Sequence, residues 1–558
     1  MLRKDFFLKI FFITLILFTA SINLKAQLVY EPLYEDVYNF LRRLSQKGII
    51  EVNDLIRPLP KIYIAEKLLQ ADSLSSELTS LEKEELEFFL ENYYFEEWFI
   101  EKDSKKSEYL EWFNTDLADR WRVFSYGGEG FKINLDPILG AEIGSVKSEK
   151  TTHYWNGIYT YGYIYDVLGF SFDFRDNTES GNTIDKTKRF TPETGVVART
   201  SENYYGYAED KMEYSEGKMM LGTNWKWGSL AVGKEFINWG YGDDGLIVMS
   251  QKAPSFPLIR LDINPIEWLS FNYYHAWLNS DVIDSSDFYY TEHGDIRFSY
   301  RNKYLASHTL TIRPTKGLDI ALGESIIYSD QLEFLYLIPV TFFRLADHYL
   351  SQQNNAAGSN AQFFFSVSSK GHIKNTHLYG SLIIDELTLS GLFDSYHQRN
   401  QVGYTLGGSV TDLPIENLTL KLEYTKIYPY VYRHYITVTN YTSSSYLMGH
   451  WMGDNADQVY VSASYRFLRG LEAIAWTRYI RQGEEQDVDY QFDQPQPPFL
   501  AGLRTNYFYL GGEARYEFIH NLYFRLRYQY QNISRLQEDL SFVDETLQQF
   551  YFAVYYGL

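Results

Sequence analysis

Leu522-Tyr523-Phe524-Arg525-Leu526-Arg527-Tyr528-Gln529-Tyr530-Gln531 is the stretch whose reading decides the fold. Its even positions are apolar or aromatic and its odd positions mostly polar. Side chains on a strand alternate faces, so one face of this strand is greasy and the other wet. The pattern returns in Leu418-Thr419-Leu420-Lys421-Leu422-Glu423-Tyr424 and in Val459 to Phe467, and recurs from about Phe131 to Leu558. Runs of roughly ten residues are long enough to cross a bilayer on a slant, and many of them together predict a closed antiparallel outer-membrane barrel. A secreted β-sandwich would need neither strands this long nor a strand at the C-terminus.

The N-terminus supports export. Arg3, Lys4 and Lys9 precede an apolar core from Ile10 to Ala20, and cleavage is expected after Ala26, making residues 1–26 a signal peptide. No later stretch approaches the roughly 20 apolar residues of a spanning helix. The longest, Phe334 to Phe343, contains Pro339. Removing residues 1–26 takes away four basic side chains (Arg3, Lys4, Lys9, Lys25) and one acid (Asp5), leaving 47 basic against 71 acidic and a net charge near −24. That acidity argues against nucleic acid, which needs a basic footprint. With no cysteine, a lipoprotein anchor, disulfides and thiol chemistry are excluded.

Residues 27–115 differ from the rest. Val37, Phe40, Leu41 and Leu44 fall at helical spacing before Gly48. A second run carries Ile64, Ala65, Leu68 and Leu69. A third, with Leu86, Phe89, Leu90 and Tyr93, follows the capping-box pair Thr79 and Glu82. These predict a periplasmic bundle of about three helices, joined through the charged linker 101–107 to a barrel over 116–558. At about 25 residues per strand and connection, the barrel holds about 18 strands, within 16–20. The insertions 176–203, 241–256, 280–294, 344–361, 440–457 and 482–505 read as longer, extracellular loops. Eleven tryptophans and fifty tyrosines suit the aromatic girdles of a membrane barrel. The final strand is expected to run to Leu558, ending without the usual aromatic.

Catalytic signatures are thin: no nucleophile elbow, zincin pattern or phosphate loop occurs. His372 and His377, five apart, fall on opposite faces. Asp454-Asn455-Ala456-Asp457 lacks the glycine and distant glutamate of a calcium loop. Asp243-Asp244 could be a hydrolytic carboxylate pair, but among 72 acidic residues such pairs arise by chance. No enzyme activity, metal or cofactor is expected. The segment Lys234 to Ser250 stands apart: Gly240, Gly242 and Gly245 permit tight backbone paths, and Pro254 and Pro257 stiffen the exit toward Leu258-Ile259-Arg260-Leu261. It reads as a tight turn or an inward-folded plug.

Three stretches carry a resemblance. They are Leu41-Arg42-Arg43-Leu44 through Gly48-Ile49-Ile50 to Arg57-Pro58-Leu59; Lys234, Trp239-Gly240, Gly245 and Ser250 running into Ala253-Pro254-Ser255-Phe256-Pro257; and His308-Thr309-Leu310 through Leu322 to Tyr328, Pro339 and Asn354-Asn355. Together they resemble the Wzi-type capsule assembly family in the order of their parts. The resemblance implies an outer-membrane barrel of about 18 strands with a periplasmic helical bundle, holding capsular or related surface polysaccharide at the cell exterior as a lectin. Implied partners are that polysaccharide, outer-membrane lipid and a periplasmic polysaccharide-export component reached through the bundle. Aromatic faces stack on sugars while acids and amides bind hydroxyls, which makes Trp239, Tyr241, Asp243, Asp244, Trp451 and Asp454 the expected polysaccharide contacts. An acidic glycan would need local basic residues, such as Lys234, Arg260 and Arg344, or bridging cations. A substrate-specific channel is the alternative, and charged inward faces (Arg525, Arg527, Lys421, Glu423) fit either.

Overall fold

The computed structural model describes residues 27–100, 108–116, 120–165, 167–181, 184, 211–354, 358–387 and 400–557. The expected signal peptide, the linker 101–107, Asn355 and Leu558 lie outside these residues. Among the described residues, eighteen antiparallel strands close into a barrel, the architecture the alternation predicts. The wall begins at Phe131–Val146 and ends at Phe542–Tyr556. It closes where Tyr556 to Gln549 pair with Leu139 to Val146. Below that seam, the first wall strand pairs instead with Trp121–Gly127 of a hairpin formed with Tyr109–Thr115. This hairpin straddles residue 115, and its strand segments continue the wall where the last strand stops.

Polarity is inside out. On Leu522–Leu536, Phe524, Leu526 and Tyr528 are exposed, while Tyr523 and Gln529 are buried and Arg525 and Arg527 half-buried. The exposed apolar positions repeat around the wall at Leu378, Leu406, Leu422, Val461, Leu510 and Phe552. A soluble sheet would bury these residues; a barrel offers them to hydrocarbon and turns its polar positions to the lumen.

Four helices fill one end. The first, α1 (Val37–Gln46), buries Val37, Phe40, Leu41 and Leu44. It is followed by Gly48 in the left-handed region (φ +78°), the usual stop after a helix. The next helix, α2 (Lys61–Ser73), buries Ile64, Ala65 and Leu68. Helix α3 (Ser80–Asn92) starts at the expected capping box, with Thr79 and Glu82 bonded reciprocally. A short α4 (Tyr94–Ile100) was not anticipated, because seven residues, about two turns, are too few for apolar spacing to recur recognisably. Each fully buried Leu or Phe contributes about 1.5–3 kcal/mol, so the shared core of α1–α3 holds them together.

The bundle sits against the end with short turns, the periplasmic end of such barrels, and meets the wall around its circumference. Arg43 pairs with Asp412 and with Glu82. Gln46 donates to the carbonyl of Asn375 (2.8 Å), and Arg313 bonds Glu51 (3.1 Å). Arg515 pairs with Asp36, and Phe88 stacks on His520 with ring centroids 3.6 Å apart. On the opposite side Lys61 lies over the ring of Tyr161 (4.6 Å).

Three expectations about the connections change. Residues 280–290 belong to the strand Leu269–Tyr290; they rise clear of the apolar belt, so their two faces lack the contrast that marks a strand in sequence. Phe256–Ile266 is a wall strand that Pro257 and Pro265 disguised. Its alternation is visible only once Leu258, Arg260 and Asp262 are seen buried and Ile259, Leu261 and Ile263 half-exposed. The insertion 344–361 contains a fifth helix, α5 (Phe343–Asn354).

Candidate functional site

Residues 236–255 fold inward and form a plug. Ile237, Ile247, Val248 and Met249 are buried among Tyr274, Phe364, Ile383 and Ile427 of the wall, and Leu246 is buried as well. Such a run of apolar side chains cannot remain in a wet loop, and its glycines let it turn in: Gly240 takes φ +118°, and a Cβ on Gly245 would come 2.3 Å from the His450 ring. The N-terminal segment enters the lumen to meet it. Ile56 and Arg57 pair with Trp239 and Asn238 as a two-residue ladder, and Gly240 donates to the carbonyl of Leu55 (2.9 Å). A second inward loop, 428–455, backs the plug. Tyr432 donates to the carbonyl of Ile247 (2.5 Å) and Ser250 to that of Gly449 (2.7 Å).

The six expected contacts separate into three groups. Trp239 and Tyr241 are fully internal, at 1% and 5% exposure, with Trp239 edge-on to Tyr274 and Phe364. Both were expected to contact polysaccharide, and the structure places them inside the plug rather than at the surface. Asp243, Asp244 and Trp451 come together. Asp243 accepts from Arg42 of α1 (2.7 Å) and Lys421 (2.8 Å). Burial pushes its carboxyl up, but Lys421 and Arg42 outweigh this and hold it well below the usual carboxylate range. The backbone amides of Asp243 and Asp244 donate to Glu423 (2.8 and 3.3 Å). The Asp244 carboxylate accepts from Arg478 (2.6 Å) and Gln458 (2.7 Å), and Trp451 donates to the Asp244 carbonyl. Burial raises the Asp244 pKa to about 6 against the pull of Arg478. Asp454 lies apart, accepting from the amide of Tyr430 (2.8 Å), with its pKa pushed up to about 6 by burial.

What the sequence reading missed is the wall opposite Asp244. Tyr460, Arg478, Tyr509 and Gln531 are consecutive cross-strand partners on four strands. Directly opposed residues share a face, and Arg478 places that face in the lumen. Its guanidinium lies over Trp451 (5.6 Å), Tyr509 (5.3 Å) and Tyr460 (5.9 Å). Tyr507 stacks on Tyr509 (6.4 Å, 15°), and Arg527 covers Trp476 (5.3 Å). Gly511 leaves the space that Trp476 occupies, since a Cβ there would come 2.3 Å from the indole. Tyr460, Arg478, Tyr507, Tyr509, Arg527 and Gln531 are all half-buried, so they line the lumen without being packed shut. The inward parity of these positions was the available signal, but nothing in the sequence showed which inward residues the plug would leave uncovered.

The basic residues expected to meet an acidic ligand are elsewhere. Arg260 is buried, held by Asp262 (2.9 Å) and the carbonyl of Pro58 (2.9 Å). Lys234 donates to the carbonyl of Gly217 (2.9 Å), and Arg344 belongs to α5. His377 is buried against Ser368 while His372 bonds Ser369 near the surface. Among the described residues, no group of three or more His, Cys, Asp and Glu is placed to hold a metal ion.

The family model described as capsule assembly protein Wzi matches residues 201–542. The chain belongs to the Wzi capsule assembly family. No curated protein matches the sequence. Among solved structures, it is similar to Wzi, an outer-membrane protein involved in group 1 capsule assembly in Escherichia coli and a carbohydrate-binding β-barrel. The identity is 13%, the match covers 96% of this chain and 100% of that one, and the TM-score is 0.54. OprD of Pseudomonas aeruginosa matches at 12% identity over 81% of this chain and 98% of that one, with a TM-score of 0.40. OccAB2 of Acinetobacter baumannii matches at 11% over 75% and 98%, with a TM-score of 0.41. The Wzi-family barrel described here is thus an outer-membrane protein.

Proposed function

We propose that this Wzi-family barrel binds capsular or related surface polysaccharide and retains it at the cell exterior, acting as a lectin without turnover. The observation that carries this is the combination of a lumen occupied by helices and plug with an aromatic–guanidinium face left lining it. Trp451, Tyr460, Tyr507 and Tyr509 offer ring faces for sugars, and Arg478, Gln458, Gln531 and Asp244 offer donors and acceptors for hydroxyls. Arg478 and Arg527 supply local positive charge, so uronate-type carboxylates are accommodated despite the acidic chain. The relative in Escherichia coli is a carbohydrate-binding barrel of capsule assembly, which supports the same reading here.

The helical bundle, on the periplasmic side, is the part we assign to contact with polysaccharide-export components, and the exposed apolar wall to outer-membrane lipid. The test pairs two measurements on the refolded protein. Binding to capsular polysaccharide from encapsulated cells is expected, lost in Arg478→Ala combined with Tyr509→Ala. Planar-bilayer recording is expected to show no stable open steps. Large, lasting conductance with no glycan binding would replace this reading by a channel.

A further inference from the structure

The outer face of the wall changes character halfway up, on four neighbouring strands. On Leu318–Ser329, Leu322 is 60% exposed whereas Glu324, two residues on and on the same face, is 2% exposed; Ile326 and Tyr328 above it are also buried. Register carries this face across. Leu310 pairs with Leu322, and His308 with Glu324; Phe271 pairs with Leu310, and Tyr273 with His308; Phe365 pairs with Leu322, and Ala361 with Ile326. Leu310, Leu322 and Phe365 are exposed, so this is the lipid-facing side. Above them Tyr273, His275, Ala306, Ile326 and Ala361 are buried.

Residues 330–354 do the covering, from outside the barrel. Tyr336 and Phe343 pack with Tyr273, Ala306, Ile326, Tyr328 and Ala361 in one cluster, and Phe342 lies beside Phe363 (6.0 Å). Tyr273 donates to the carbonyl of Tyr336 (2.8 Å). Glu324 accepts from the amides of Phe343 (2.9 Å) and Arg344 (2.6 Å), the first residues of α5. His308 Nε2 is 3.6 Å from the same carboxylate. A carboxylate on the lipid face is thereby satisfied by a helix start that lies outside the wall.

Height decides the surroundings. Glu324 is six residues above the turn at Leu318, about 20 Å along the strand and about 15 Å of height after tilt. The apolar belt of such barrels is about 25 Å tall, so the covering segment reaches down into it. Its own outward side is apolar: Val340 is 80% exposed, with Phe334, Phe342 and Leu345 all above half. We propose that residues 330–350 form an external clamp embedded in the outer leaflet, with Phe334, Val340, Phe342 and Leu345 in contact with lipid acyl chains. Acyl chains are the occupant because this surface is continuous with the exposed wall at Leu310, Leu322 and Phe365.

The chain has no cysteine, so single labels are clean. Nitroxide labels at Val340→Cys and Leu345→Cys are measured in refolded protein in phosphatidylcholine–phosphatidylglycerol vesicles. Leu322→Cys serves as the lipid-facing reference and Ser541→Cys as the aqueous one. High collision rates with oxygen and low rates with a water-soluble nickel chelate, as at position 322, are the expected result. Rates matching position 541 overturn the proposal. So does shielding from both reagents, which would mean that protein, such as a second copy, covers the segment. In Glu324→Ala the label at 340 is expected to become more mobile while that at 322 is unchanged; equal mobility at 340 overturns the capping role of Glu324.

Discussion

Replacing Arg43 by alanine removes one of the side chains that tie the helical bundle to the barrel. Arg43 is buried, and its guanidinium bonds Glu82 (2.9 Å) within the bundle and Thr419 (3.3 Å) on the wall, with Thr411 and Asp412 also in contact. Breaking a buried ion pair from one side costs about 3–5 kcal/mol, because the remaining charge stays desolvated. Here the loss is partly relieved. Lys47 already reaches Glu82 (2.7 Å) and Asp412 (3.2 Å), so neither carboxylate is stranded. That places the expected cost near the lower limit, about 3 kcal/mol, or about a hundredfold in the opening equilibrium at 1.4 kcal/mol per decade. Hydrogen exchange on the refolded protein reads this directly. Amides of α1 and α3 should exchange about a hundredfold faster while those of the wall strands keep their protection. Exchange unchanged in α1 and α3 would refute the argument that this network holds the bundle in place. Equal acceleration throughout the wall would show that bundle and barrel unfold as one unit.

Trp239→Ala is expected to cost about 3–5 kcal/mol of local packing, visible as faster exchange over residues 236–256 and as intermittent conductance. Glycan affinity should then fall only as far as the plug's displacement disturbs Asp244 and Trp451. Truncating Trp451 or Tyr509 to alanine, by contrast, should weaken glycan binding by about tenfold or more each, with barrel stability unchanged; unaltered affinity in both would move the site elsewhere. Docking of the bundle should also depend on pH through Glu35, whose pKa is pushed up to about 8 by burial and by the nearby Glu31 and Glu517, with Arg120 and Lys61 opposing. Because the folded value is raised above the usual value of about 4.3, its stabilising contribution is complete at low pH and lost as pH rises through about 8. After correction for intrinsic rates, α1 should exchange faster at pH 9 than at pH 6.5, and Glu35→Gln should flatten the difference; a flat wild-type profile would exclude this role for Glu35.

The barrel was legible because its cause is local. A strand that faces lipid on one side and a wet lumen on the other must alternate, and Leu522 to Gln531 does so within ten residues. The capping box at Thr79 and Glu82, and the stop at Gly48, are equally local and appear where they were expected. Strands that rise out of the membrane, such as residues 280–290, lose the contrast between faces and become unreadable, as do strands with proline at their ends.

The site followed a different logic. Asp243, Asp244 and Trp451 were identifiable as residues of the right chemistry, yet the partners that define them come from far along the chain: Arg42 from a helix, Glu423 and Arg478 from the wall. Trp239 and Tyr241 were expected to meet polysaccharide because composition records the ring but not how deeply the loop buries it. The sequence by itself determined an exported, alternating, inside-out barrel with a helical N-terminus, since periodicity and local capping need only neighbouring residues. Only the tertiary structure decided which inward side chains are packed beneath the plug, which still line the lumen and which outward ones are covered by α5. Those outcomes depend on contacts between segments hundreds of residues apart, and no local pattern encodes them.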